Sequence, residues 1–253
     1  MPDRRELVET RRSLHTVAEH VLMAERHRRA GRIGLRAAPG GFATPEYEVN
    51  GAPERLRVDG TDVVRERLGT EAARAPITTL AALGAALGVE VGAPRGIYDL
   101  ATPFEPDARL HVDERSASLL ADWWTLVDAT LAAVRAAGTS PAAGASRHGP
   151  GSTDARGGIE GVTEGVTEGV TEVQLWPEHF DLACSIGRVN VGGSAGDTGH
   201  DLPYLYVGPW EPRPMGGFWN EPWGASRPCS SVADVDEAVA FVHRGLAEAH
   251  RDA

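Results

Sequence analysis

VQLWPEHFDLA, Val173 to Ala183, is answered thirty residues later by PYLYVGPW, Pro203 to Trp210, and the reading of these two stretches decides the fold. Taken as one strand, the first places Gln174, Trp176, Glu178, Phe180 and Leu182 on one face. Leu175, Pro177, His179, Asp181 and Ala183 take the other, since side chains alternate along a strand. Trp176, Phe180 and Leu182 are then expected in the core, with Glu178 set among apolar neighbours. His179 and Asp181 share the opposite face at i, i+2, close enough to hydrogen-bond or to hold a common ion. Pro177 removes a backbone donor, so the strand is expected at a sheet edge, at a strand start or at a bulge. In the second stretch Tyr204 and Tyr206 fall on one face, Leu205 and Val207 on the other.

Working outward, the chain alternates helical and strand patterns. Residues 3–30 read as a helix, with Leu7, Leu14, Val17, Val21 and Ala24 on one stripe and Gly31 as its stop. Its histidines, His15, His20 and His27, match no metal-binding helix motif. Strands are expected over 32–37, 47–50 and 55–59, with Asp59-Gly60 as a hairpin signal. A small-residue helix over 78–88 would be capped by Thr78 or Thr79. The longest helix is expected over 114–137, capped by Asp113, with Leu119, Leu120, Trp123, Leu126, Val127, Leu131 and Val134 on its apolar face. Trp123 and Trp124 read as core. A last helix is expected over 232–250, capped by Ser231, with Val235, Val239, Val242 and Leu246 as its stripe.

Between the halves, residues 139–172 are dominated by small and acidic residues, with three tandem copies of EGVT from Glu160 to Thr171. A four-residue repeat cannot build a core, so the segment reads as a flexible low-complexity insertion. The expected class is therefore α+β: an antiparallel or mixed β-sheet packed against three main amphipathic helices, 3–30, 114–137 and 232–250. Residues 1–138 and 173–253 are expected to form one continuous globular domain around the insertion.

Composition narrows the functional classes. Apolar residues make up 42% and charged residues 24%, and the net charge is −11, which argues against a general nucleic-acid binder. Every basic residue is Arg. The two cysteines, Cys184 and Cys229, have no metal-finger spacing and suit a reducing compartment. No secretory leader pattern and no membrane-length apolar run are read, so the expected location is cytoplasmic, with no membrane partner.

WPEHFDLA at Trp176–Ala183 and PYLYVGPW at Pro203–Trp210, supported by RIGLRAAPGGFATP at Arg32–Pro45, resemble a group of uncharacterised actinobacterial proteins. The first motif is also similar to the WPxHFDLA element of a broader domain family of unknown function. The resemblance implies no activity and no cofactor.

Two functional readings remain. The first is a surface for a small molecule or a protein partner, lined by Trp176, Tyr204, Tyr206, Trp210, Trp219 and Trp223; four of the six tryptophans lie between residues 176 and 223. Self-association through Phe218 to Trp223 would make it a homo-oligomer contact. The second is a hydrolase-like enzyme, metal-assisted or using a general base. His179 and Asp181 would be ligands or base, His200 and Asp197 would come from the following loop, and Glu178 would be an acid or base raised by its apolar face. The plainer alternatives are an Asp that orients a surface imidazole, a Glu178 salt bridge to Arg, and an aromatic core under a proline-rich loop. The Gly192–Asp197 loop lacks a phosphate-cradle pattern.

Overall fold

Val173 to Ala183 is a hairpin rather than one strand. In the computed structural model, which describes residues 2–138 and 169–251, β7 (Gln174–Trp176) turns through Pro177–Phe180 into β8 (Asp181–Ile186). Leu175 pairs with Leu182, and Trp176 with Asp181. Pro177, which cannot donate to a ladder, opens the turn on an edge strand. Phe180 closes it, its amide donating to the Trp176 carbonyl at 2.8 Å, with a left-handed φ of 52°. That conformation costs a bulky residue about 1–2 kcal/mol. Burial offsets it: the Phe180 ring stacks on His15 at 4.8 Å and meets Phe42 and Trp124 edge-on at 5.5 and 5.1 Å. The turn reverses the alternation, so Trp176 shares a face with Asp181 and is half-buried, correcting its expected place in the core. Phe180 and Leu182 are buried as expected.

β9 (Val189–Ser194), β10 (Tyr204–Pro209) and β11 (Ala225–Pro228) complete a five-stranded antiparallel sheet, ordered β11-β10-β9-β8-β7. Register then assembles rows across strands far apart in sequence. Asp181, Ser194 and Tyr204 form one row; Ala183, Gly192 and Tyr206 form the next. The opposite face carries Leu182, Val191, Leu205 and Val207 into the core. Gly193 lies on that core face, where a Cβ would come within 2.3 Å of Val127, so the bare backbone sets how closely a helix covers the sheet.

The N-terminal half supplies a six-stranded antiparallel sheet: β1 (Arg36–Ala38), β2 (Gly41–Ala43), β3 (Tyr47–Val49), β4 (Ala52–Asp59), β5 (Asp62–Arg67) and β6 (Thr70–Pro76). The expected Asp59-Gly60 hairpin forms, Asp59 pairing with Asp62. Two further hairpins turn at Asn50-Gly51 and Leu68-Gly69, all four residues with positive φ, as such turns require. The halves therefore contribute two sheets rather than one continuous sheet. Among the described residues one antiparallel bridge links them, with Leu35 and Leu175 exchanging bonds of 2.8 and 2.9 Å.

One hydrophobic cluster runs through both halves, because α4 (Glu114–Gly138) packs against β1 and β2 of one sheet and β8 and β9 of the other. Trp123 and Trp124 are buried there as expected; Trp123 donates to the Ser194 carbonyl at 2.9 Å. α4 is also apolar and long enough to cross a membrane by composition, but its place here is the core. α3 (Leu80–Leu87) is capped by Thr79. α5 (Val235–Arg251) starts three residues later than expected, after Asp234, which accepts from the Glu237 amide at 2.9 Å.

The N-terminal helix is α1 (Arg4–Val17) and α2 (Ala24–Ala30) joined by a π-helical segment, Ala18–Met23, all six of whose residues are buried. Of the expected insertion, residues 139–168 and most of the EGVT copies lie outside the described residues. Gly169 to Thr171 run along β8, the Thr171 amide donating to the Ser185 carbonyl at 3.0 Å.

Candidate functional site

The face of the C-terminal sheet that carries Asp181, Ser194, Tyr204 and Tyr206 is roofed by α1, and a groove of about 950 Å³ lies between them. α1 contributes Val8, Arg11, Arg12 and His15 to its walls, and Ala101 and Thr102 close one side. That volume is in the range of small-molecule sites.

Asp181 sits at the floor with only 7% of its surface exposed. Tyr206, on the strand two away, donates its hydroxyl hydrogen to Asp181 Oδ2. Oδ1 is shielded from water and has no hydrogen-bond partner among the described residues. Burial raises the Asp181 pKa, against the pull of the Tyr206 bond and of His179. Tyr206 is pushed well above its ordinary value by burial and by the Asp181 charge. Glu178, at the turn, is also raised, mainly by burial.

These two carboxyls differ from four of the chain's other partly buried acids. Glu25, Glu54, Glu66 and Asp59 each pair with two arginines. Neither Glu178 nor Asp181 is ion-paired to an arginine among the described residues; Glu178 has only His179 at 3.7 Å. An unpaired carboxyl out of water is a destabilising arrangement that structural sites usually avoid.

Arg11 does not serve as their counter-ion. Its guanidinium donates to the carbonyls of Asp197, His200 and Asp201 at 3.1–3.2 Å and holds that loop in place. Gly196 makes room for it, since a Cβ there would lie 2.2 Å from Arg11 Nη1. Asp197 is tied into the same loop, accepting from the Tyr204 hydroxyl at 2.6 Å and from the amides of Gly199 and His200. Burial pushes Asp197 up, but these donors outweigh it and hold its pKa below the ordinary value. His15 donates through Nε2 to the Pro177 carbonyl at 2.6 Å, and burial lowers its pKa, which favours the neutral imidazole.

Behind the roof, the π-helical segment turns Glu19 and His20 inward. Glu19 accepts from the amides of Ala101 and Thr102 at 3.0 and 2.8 Å. His20 accepts at Nδ1 from the Ala93 amide and donates through Nε2 to the Thr102 carbonyl. The two side chains clamp the 92–102 loop to the helix and so fix the groove wall, a use of π geometry common beside functional sites.

Of the residues expected at a site, the groove brings together Glu178, His179, Asp181, Tyr204, Tyr206, Trp210 and Trp223. Tyr204, Tyr206 and Trp223 pack with ring centroids 6.1–6.4 Å apart and form one aromatic wall. Trp210 lies at the rim beneath Arg188, its indole N–H donating to Asn190. Three others fall elsewhere. Trp176 faces Arg26 and Gln174 around a small separate cavity. Trp219 is 7% exposed and packs edge-on with Phe218. His200 turns away to Glu221 at 2.9 Å.

The structure does not gather His179, Asp181 and His200 into one group. Among the described residues no group of three or more His, Cys, Asp or Glu side chains is placed to hold a metal ion. The His179 side chain is 73% exposed at the tip of the turn, while Asp181 is drawn inward by Tyr206. Sequence reasoning missed Arg11 and His15, although two polar residues at i, i+4 inside an apolar stripe are a legible signal of a helix face turned toward a polar site.

Comparison with protein-family models, with curated proteins and with solved structures returns no match.

Proposed function

We propose that this chain binds a small organic molecule in the groove between α1 and the C-terminal sheet. The observation that carries this reading is the buried Asp181 carboxyl, bonded through one oxygen to Tyr206 and unpartnered at the other, on the floor of that groove. A buried acceptor without a donor costs on the order of 1–3 kcal/mol. A ligand whose binding opens Oδ1, shielded from water in the free chain, and supplies its donor recovers that free energy. The wall of Tyr204, Tyr206 and Trp223 offers apolar area with polar tips, the mixture that small-molecule sites use.

Amide chemical-shift mapping during a fragment screen tests the reading. Perturbations should cluster at Asp181, Ser194, Tyr204 and Tyr206 and vanish in Trp223→Ala for fragments that rest on the wall. Shifts confined to other faces, or none at all, would remove the groove from consideration. A protein interface is the competing use of the same aromatic rim, where Trp210 and Trp223 are 57% and 42% exposed. That use would show as a mass that rises with protein concentration.

A general acid–base enzyme is the second reading, favoured by the raised Asp181 pKa beside a directly bonded Tyr206 hydroxyl. The proton-handling pair would then be Asp181 and Tyr206, with the exposed His179 no longer required as the partner. Loss of turnover in Tyr206→Phe with retained ligand binding would distinguish it from binding alone.

A further inference from the structure

The groove's charge pattern says more about the ligand than its shape does. Four carboxyls line it: Glu178, Asp181, Asp197 and Asp201. Two arginines do so as well, but Arg11 is engaged by three backbone carbonyls and Arg12 is exposed. Asp197 is satisfied by Tyr204 and two amides. Glu178 and Asp181 are left with no arginine between them, whereas Glu25, Glu54, Glu66 and Asp59 each have two. Both line the same groove, three residues apart across the Pro177–Phe180 turn.

Resting on the binding reading above, we infer that the ligand itself brings the missing positive charge. The groove takes an organic cation, a primary or secondary amine on an aromatic or aliphatic body. Its N–H donors lie between Asp181 and Glu178, and its carbon skeleton rests against Tyr204, Tyr206 and Trp223. The chemistry is selective in both directions. An anion would meet four carboxyls and no free guanidinium at the floor. A neutral hydroxyl could satisfy Asp181 Oδ1 but would leave the buried Asp181 and the half-buried Glu178 without a cation between them. An ammonium group gains from both carboxyls and from the negative faces of the aromatic wall, an attraction that strengthens as water is excluded. A divalent metal is a poorer fit, because among the described residues no third ligand side chain joins these two.

Calorimetric titration of the full chain with three probes of matched shape tests the inference: 2-phenylethylamine, 2-phenylethanol and 3-phenylpropionate. The amine should bind at least about tenfold more tightly than the alcohol, and the carboxylate should give no binding heat at about 10 mM. Asp181→Asn and Glu178→Gln should each weaken the amine by about tenfold and narrow its preference over the alcohol. Glu178 sits on the turn rather than in the core, so its variant keeps the test open if Asp181→Asn fails to fold. Equal affinity for amine and alcohol would overturn the cation assignment while the groove remained a binding site. Binding of the carboxylate in preference would do the same. Binding of none of the three would overturn the assignment and the small-molecule reading together.

Discussion

The Tyr206 hydroxyl reaches across β9 to donate to Asp181 Oδ2, joining residues 25 positions apart. Gly192, which pairs with Tyr206 on β9, adds no side chain to that face. Removing the donor while keeping the ring should be felt in the fold. Tyr206→Phe leaves Oδ2 as orphaned as Oδ1 and is expected to destabilise by about 1–3 kcal/mol. Chemical denaturation at constant slope measures it. A stability equal to wild type would mean the hydrogen bond contributes nothing.

The raised Asp181 pKa has a definite sign for stability. The folded state holds this proton to higher pH than the unfolded chain, so between the two pKa values folding is favoured by low pH. Stability from this group is therefore fully present below the unfolded carboxylate value of about 4 and is lost as pH rises through the folded value. Asp181→Asn cannot titrate, so wild type should lose stability relative to that variant as pH climbs from 4. A difference that stays flat, or that grows in favour of wild type, contradicts the assignment.

The turn at Phe180 predicts an inverted substitution order. Phe180→Ala removes a ring packed among Phe42, Trp124 and His15 and should cost about 3–5 kcal/mol. Phe180→Gly loses the same ring but relieves a left-handed φ, so it should be the more stable of the two by about 1 kcal/mol. Glycine is ordinarily the worse choice in a strand or helix. Paired melting curves of the two variants decide the order.

Arg11 is predicted to be the pin of the loop from Asp197 to Asp201. Arg11→Met keeps the aliphatic stem and removes three donors to backbone carbonyls, so the loop's amides should exchange faster with solvent while β8 and β9 stay protected. Gly196→Ala should have a similar local effect, since its Cβ would displace the guanidinium and its φ of 101° disfavours any side chain. Unchanged exchange in both would show that the loop is held by Asp197 and Tyr204 alone.

Much of this architecture was legible because it follows local rules. The Leu7-to-Ala24 stripe, the α4 face with its two tryptophans, the Thr79 cap and the Asp59-Gly60 hairpin each depend on residues within a turn or two of one another. The central stretch was misread where two signals competed. Pro177 pointed to an edge, but strict alternation hid the turn that Phe180 makes possible at positive φ, and one reversal moved Trp176 to the face of Asp181. Asn50-Gly51 carried a plain hairpin signal that was passed over.

The site was half legible. The aromatic tyrosines and Asp181 stood out as residue types, but their assembly depends on register between β8, β9 and β10, which no local pattern encodes. His200 was expected as a ligand supplied by the loop, but its ring meets Glu221, a residue 21 positions downstream. Glu19 and His20 matched no motif because their role comes from a π-helical segment whose irregularity leaves no simple periodic trace.

The most direct test of the whole account is the titration of the Asp181 side-chain carboxyl, followed by carbon-detected NMR with and without 2-phenylethylamine. In the free protein the carboxyl should titrate above the usual carboxylate range, and saturating amine should move the midpoint down, because a bound cation favours the charged form. A midpoint in the ordinary range, or one that the amine leaves in place while binding elsewhere, would contradict the claim that Asp181 is the buried anchor of this groove.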